Sequence, residues 1–428
     1  MKACDLLIEN AAEVVTLAGP VPRVGPDLDR AGVIRDGAIA VTDGRIEAVG
    51  PAREVAGGFL PRERMDARRG TVIPGFVDAH THPVFGATRE AEFDLRLHGR
   101  TYQEITAAGG GIFSSVRSLR ETSSDDLRRL VRQRFDRFVM SGTTTIEAKS
   151  GYGLNRADEL RSLEILKAVA ADHPLEVHTT FLGAHQMPQE YGDRREEYID
   201  FLIEEMLPEV KRRDLARSCD IFCDQGAYTV AESRRFLEAA SRQGFSLRVH
   251  ADELEGLGAA ELAASLSARS ADHLCRISDQ GIVAMRAAGT TAVLLPGTVQ
   301  SLGAKAIPPA RKMIERGVIV AIATDFNPGT SYVISMPIVI AIACTLLRMT
   351  VAEALSAATI NAAHSLGIAE SVGSIEPGKQ ADLVLLDRPS YLFMAYELGE
   401  NSTSAVLKKG RVIFRRPEPR LVTLEEGE

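Results

Sequence analysis

Two histidines one residue apart, in Asp78-Ala79-His80-Thr81-His82-Pro83, follow directly on the apolar run Thr71-Val72-Ile73-Pro74-Gly75-Phe76-Val77. In extended chain residues i and i+2 share a face, so both imidazoles project from one strand end. Two neutral imidazoles side by side are half of a divalent-metal site. Three more polar clusters follow apolar, β-branched stretches: Val249-His250-Ala251-Asp252-Glu253, Ala271-Asp272-His273 and Ile322-Ala323-Thr324-Asp325-Phe326-Asn327-Pro328-Gly329-Thr330. His80, His82 and His250 with the Asp325 carboxylate form a mixed nitrogen and oxygen set suited to zinc or iron. A metal held there makes water a nucleophile at neutral pH. Glu253, three residues past His250, and His273 on the following strand are then placed to move a proton to or from that water or a leaving nitrogen. The competing readings are a structural pair for His80 and His82, a helix cap for Asp325, and a solvated residue of the acidic stretch 252–255 for Glu253. The sequence barely separates the two readings of Glu253.

These residues need a frame that gathers strand ends. Strands are expected at 71–79, 142–148, 175–183, 218–223, 245–250, 270–274, 290–295 and 318–324. Helices are expected near 123–141, 157–171, 195–212, 230–243, 256–267, 278–288, 308–316 and 351–366. Leu160, Leu163, Leu166 and Val169 illustrate the apolar stripe of such helices. Eight strand and helix units in order over roughly 300 residues favour an α/β protein with a closed (β/α)8, TIM-like barrel. A barrel puts its site at the carboxyl ends of the strands. There lie 78–82, 149–152, 185, 250–253, 273 and 325–330, and closure sets the eighth strand against the first, bringing Asp325 to the histidines. A carboxylated lysine on the fourth strand would signal two metals. Here Lys149 ends the second strand and the fourth has none, so one metal per chain is expected. Gly109-Gly110-Gly111 lacks the Lys-Ser/Thr of a phosphate loop and reads as a mobile loop over the site.

The chain ends differ in style. Strands at 5–17, 37–41 and 45–50, the last two joined by the hairpin turn Asp43-Gly44, are echoed by 378–387 and 405–414. Neither end has the length for its own core, so 1–68 and 372–428 are expected to form one small β-sandwich domain beside a barrel at 69–371. In the 428 residues, 45% are hydrophobic and 25% charged, an ordinary globular balance. The net charge of −8 argues against nucleic acid as a partner. The arginine-rich stretch 128–137 and residues 211–213 read as solvated helix faces. Five cysteines at irregular spacing argue against a disulfide framework, and Cys219 and Cys223 read as buried thiols. The first residues lack a signal-peptide core, and the apolar run 333–347 is too short for a membrane span and contains Pro337. It reads as a buried segment, and the expected setting is the cytoplasm, without a membrane partner.

At this point the motifs resemble the amidohydrolase superfamily, through Pro74-Gly75-Phe76-Val77-Asp78-Ala79-His80-Thr81-His82, the strand-ordered His250, His273 and Asp325, and Pro377-Gly378-Lys379-Gln380-Ala381-Asp382-Leu383. Within it, four segments resemble the enzymes that open the imidazolone ring in histidine degradation: Glu147-Ala148-Lys149-Ser150-Gly151-Tyr152-Gly153-Leu154, Thr180-Phe181-Leu182-Gly183-Ala184-His185, Val249-His250-Ala251-Asp252-Glu253 and Thr324-Asp325-Phe326-Asn327-Pro328-Gly329-Thr330. The resemblance spans essentially the whole chain. It implies metal ligation by His80, His82, His250 and Asp325, with one Zn(2+) or Fe(3+) per subunit. It implies that Arg89 meets a substrate carboxylate, that Tyr152 and His185 flank the ring, and that Asn327, Gly329 and Thr330 line the pocket with Glu253. Glu253, His273 and Asp325 would be the catalytic groups and 4-imidazolone-5-propanoate the substrate, in a homodimer. A ring deaminase using the same ligands, or a barrel kept for assembly without its metal, are the rival readings. Ammonia release separates the first, and the complete ligand set speaks against the second.

Overall fold

Alternating apolar and polar residues open the chain as strands β1 (Lys2–Val15), β2 (Val33–Thr42), β3 (Arg45–Pro51), β4 (Phe59–Asp66) and β5 (Thr71–Pro74). Then come the largely buried strands β6 (Phe76–Asp78), β7 (Thr143–Lys149), β8 (Glu176–Ala184), β9 (Ser218–Cys223), β10 (Ser246–Ala251), β11 (Ser270–His273), β12 (Thr291–Leu294) and β13 (Val320–Ile322). Strands β14 (Leu383–Leu386), β15 (Thr403–Lys408) and β16 (Arg411–Arg415) close the order. This computed structural model describes residues 1–100, 104–105 and 108–417.

Strands β6 to β13 follow one another around an eight-stranded sheet, each pairing parallel to the next. The remaining seam is stitched at the strand ends. Asp325 N donates to His80 O at 3.0 Å, His82 N donates to Phe326 O at 2.8 Å, and Thr81 bridges Phe326 in parallel fashion. The result is a nearly closed (β/α)8 barrel. Several of its outer helices start on side-chain caps: Ser123 for Ser124–Met140, Asn155 for Arg156–Ala171, Thr229 for Val230–Arg242 and Ser278 for Asp279–Ala288.

The other sheet runs β16-β15-β14-β5-β1-β2-β3, with β4 also paired to β1. The two chain ends meet where β5 pairs antiparallel with β14, Thr71 opposite Leu386 and Pro74 opposite Leu383. Leu6, Ile8, Val14, Ile39, Leu383 and Leu407 fill the space enclosed by its halves, as in a small sandwich. The helix Ala52–Gly58 covers the opposite face over Leu7, Ala38 and Ala40. Asp43 and Gly44 both take positive φ, 50° and 73°, which suits the tight hairpin they form.

Several elements depart from the sequence reading. The expected strand 71–79 is two strands in two sheets. Gly75 breaks it, donating from N to Asp382 O at 2.8 Å, and a Cβ there would stand 2.9 Å from Thr144 Cβ. The helix expected at 351–366 is two, Val351–Ala357 and Ile360–Leu366. Arg134 corrects the reading of 128–137 as a solvated face. It is buried, donating to Pro83 O and Phe85 O at 2.8 Å each and lying over the Phe85 ring at 3.4 Å, because the helix turns it toward the loop after β6. The run 333–347 is the largely buried helix Met336–Leu346, with Pro337 tolerated in its first turn. Cys219 and Cys223 are buried free thiols. Among the described residues no helix is long and apolar enough to cross a membrane.

Candidate active site

The loop after β6 carries His80 and His82, whose Nε2 atoms approach to 3.2 Å. Asp325 Oδ1 lies 3.5 Å from the first and 3.4 Å from the second. His250, next to last in β10, sets its ring 4.5 Å from that of His80, and ligand atoms of the three histidines fall within 4.8 Å of one another. All four side chains are buried. His80 Nδ1 meets Asp272 Oδ2 at 2.6 Å, so Nδ1 carries the proton and Nε2 presents a bare lone pair. His250 Nε2 is buried with no hydrogen-bond partner. Lone pairs and a carboxylate oxygen thus converge where no donor satisfies them all, an arrangement that a metal cation fits and an apolar core would not tolerate.

Burial pushes the His80 and His82 imidazoles well below their usual range, and the Lys149 and neighbouring imidazole charges add to this. Both are therefore neutral, as ligands must be. Asp325 takes a positive φ of 50° and His273 of 74°, and this left-handed backbone aims both side chains into the barrel mouth. Thr298 Oγ1 donates to Asp325 Oδ2 at 2.5 Å, leaving Oδ1 toward the histidines.

Glu253 and His273 stand together beside this set, Oε1 to Nδ1 at 3.5 Å. Burial, then the Asp325 and Asp224 carboxylates, push Glu253 up to about 8. Burial pulls His273 down to about 3, against the opposing Asp325 charge. Near neutrality Glu253 is thus the group whose proton can come and go, beside an imidazole that stays neutral and can hydrogen-bond to it or to a substrate. A cavity of about 140 Å³ lies against them, lined also by Cys275, Arg276 and Thr298. A larger cleft of about 1000 Å³, between Pro174–Val177 and the small sheet, holds none of these residues.

On the other side of the mouth the His185 ring stacks on His82 at 5.2 Å and contacts Tyr152 at 5.3 Å. His185 Nδ1 also meets Gly151 O at 3.0 Å. Arg89 is buried and paired with Glu92, Nη2 to Oε2 at 2.6 Å. Its guanidinium lies against Gly329, where a Cβ would come 2.7 Å from Cζ. Asn327 spends its side chain on the loop, Nδ2 donating to Asp325 O at 2.7 Å and Oδ1 accepting from Gly329 N and Thr330 N at 2.8 and 2.7 Å. It thus shapes the wall on which Gly329 and Thr330 stand. Gly111 N donates to Glu92 at 3.2 Å, so the glycine run ends beside Arg89 and leads into the helix Ile112–Glu121.

Sequence reasoning assigned no role to Asp78, Asp220, Asp272 or Thr298. Asp78 accepts from Thr324 N and Oγ1 at 3.0 and 2.6 Å and so locks the first barrel strand to the last. Asp220 reaches His250 Nδ1 at 3.1 Å. No spacing in the sequence set Asp220 and Asp272 apart, since the register of neighbouring strands is what carries them to the histidines.

The sequence pattern of the Amidohydrolase family matches residues 71–413. An imidazolonepropionase of Symbiobacterium thermophilum is 50% identical over 417 residues, covering 96% of this chain and 98% of its own. One from Clostridium tetani is 43% identical over 418 residues, covering 97% and 100%. Among solved structures, an adenosine deaminase from Xanthomonas campestris with bound zinc aligns at a TM-score of 0.73 with 20% identity, covering 99% of this chain and 95% of its own. Guanine deaminase of E. coli aligns at 0.74 with 16% identity, covering 96% and 99%. At those identities the likeness is one of fold. With the family pattern over most of its length and relatives of this identity end to end, the chain belongs to the amidohydrolase family, among the imidazolonepropionases.

Proposed function

We propose that the chain hydrolyses the ring amide of 4-imidazolone-5-propanoate to N-formimidoyl-L-glutamate, the ring-opening step toward L-glutamate in L-histidine degradation. The observation that carries this reading is the convergence of bare imidazole nitrogens and the Asp325 carboxylate beside the Glu253 and His273 pair. The imidazolonepropionases at 43% to 50% identity support it. His80, His82, His250 and Asp325 would hold one zinc or iron ion per subunit, which supplies Lewis-acid chemistry by making water more acidic and a carbonyl more electrophilic. Arg89 leaves Glu92 to take the propanoate carboxylate, and Tyr152 and His185 flank the ring. Glu253 accepts a proton from the water as its oxygen adds to the ring carbonyl carbon. Glu253 and His273 deliver that proton to the ring nitrogen as the C–N bond breaks, with Asp325 holding the reacting centre. Gly329 and Thr330, braced by Asn327, wall the far side. The site would act within a cytoplasmic homodimer, for which sedimentation should give twice the chain mass.

The test is incubation of the purified, metal-loaded protein with 4-imidazolone-5-propanoate, followed by mass analysis of the product and an ammonia assay. N-formimidoyl-L-glutamate without ammonia is the expected result. Ammonia release would instead favour a ring deaminase, and no turnover with full metal occupancy would sink the assignment.

A further inference from the structure

Beneath the three histidines the barrel interior holds charge rather than hydrocarbon. Lys149, last in β7, is buried with Glu147, Asp220 and Asp272. Its ammonium lies 2.8 Å from Glu147 Oε1, 2.8 Å from Asp220 Oδ2 and 4.0 Å from Asp272 Oδ2. Each carboxylate goes on to meet a different part of the histidine set. Asp272 offers His80 Nδ1 the same oxygen that faces Lys149, at 2.6 Å. Asp220 likewise offers His250 Nδ1 its Lys149-bound oxygen, at 3.1 Å, while its other oxygen accepts from His250 N at 3.2 Å. Glu147 accepts from Thr81 N, between His80 and His82, at 3.3 Å. The backbone repeats the link, Lys149 N donating to Thr81 O at 2.9 Å.

We propose that Lys149 is a positioning residue for the metal site: one ammonium gathers the three carboxylates that orient His80, His250 and the His80-Thr81-His82 turn. The inference rests on the reading of these histidines as metal ligands. Three buried carboxylates facing one another repel in a medium that screens poorly. With the ammonium among them they keep fixed places, so that Asp272 stays 2.6 Å from His80 Nδ1 and Asp220 3.1 Å from His250 Nδ1, and each Nε2 keeps its aim. Groups that orient metal ligands in this way typically change metal affinity by about 10–100-fold when removed. The direction of the change is diagnostic. If Lys149 acted only through its positive charge, its removal would make a nearby cation bind more tightly; if it acts by holding the ligands' partners, removal weakens binding.

The experiment compares the full chain with Lys149→Met and with the charge-balanced double variant Glu147→Gln/Lys149→Met. Zinc affinity is read by competition with a chromophoric chelator, the cobalt-loaded proteins by their visible absorption, and folding by thermal unfolding of the apo forms. Both variants should unfold cooperatively, bind zinc about 10–100-fold more weakly than the parent, and show an altered cobalt spectrum. Unchanged or tighter zinc binding, with an unchanged cobalt spectrum, would overturn the proposal. So would failure of even the charge-balanced variant to fold, since Lys149 would then serve the barrel and not the site. Zinc binding by the parent that survives His80→Asn and His250→Asn would refute the ligand reading itself, and the proposal with it.

Discussion

Gly329 owes its identity to Arg89. A methyl group at 329 would overlap the guanidinium, the mobile end of a long side chain, so the arginine shifts while the fold stands. Gly329→Ala should therefore raise KM for the carboxylate substrate by about tenfold or more, the worth of one charged hydrogen bond, with metal content unchanged. An unaltered KM would detach Arg89 from substrate binding. Glu253 carries a different signature. Its high pKa reflects burial first and the Asp325 charge second, and a cation bound at Asp325 cancels that second push. In the loaded enzyme activity should rise with pH along a limb lying below about 8, because the carboxylate form is the one that accepts the proton. Glu253→Gln should remove this limb and lower kcat by about 10²–10⁴-fold. A persisting limb would pass the proton to another group. The histidines and Asp325 stood out in the sequence because each interrupts or ends an apolar run, whereas the sequence barely separated Glu253 from a solvated residue of the acidic stretch 252–255. The parts played by Asp220, Asp272 and Lys149 were not legible: their strands of six, four and seven residues are too short for periodicity to tell an inward polar residue from an outward one, and only the register of neighbouring strands brings them to the ligands.

The order of strands and helices was readable from periodicity and caps, since each βα unit states its own boundaries. What sequence could not show was where one sheet hands over to another. Residues 71–79 read as one strand because they are apolar throughout, yet Gly75 splits them so that Thr71–Pro74 serves the small sheet and Phe76–Asp78 the barrel. The split depends on close approach to Thr144 of the neighbouring strand, a contact distant in sequence. Gly75→Ala should force the two strands apart at a packed point and cost on the order of 1–3 kcal/mol, read as a lower denaturation midpoint. Because His80 and His82 begin two residues past β6, the same variant should weaken metal retention. Normal stability would show that Thr144 can rotate away at little cost.

Hairpin signals at both chain ends made a composite small domain legible, but the means of fixing it to the barrel was not, because the partners lie far apart in sequence. Lys408 of β15 reaches under the barrel, bonding Asp382 at 2.7 Å and Glu176, at the start of β8, at 2.8 Å. Lys408 and Asp382 are buried, so Lys408→Met strands a carboxylate away from water and should cost about 3–5 kcal/mol, the usual penalty for breaking a buried pair. Glu176 is more exposed and contributes through pH. Its hydrogen bond to His178, opposed by partial burial and reinforced by Lys408, holds its carboxyl well below the ordinary range. A folded-state pKa below the unfolded value of about 4.3 gives stability that is present above that pH and drains away as pH falls through and below it. Glu176→Gln should therefore lower the melting temperature at neutral pH by a small amount and flatten its fall between about pH 5 and pH 3. A variant whose acid profile runs parallel to that of the parent would show that the carboxylate contributes nothing to the junction, and would leave its ionic part to Lys408 and Asp382.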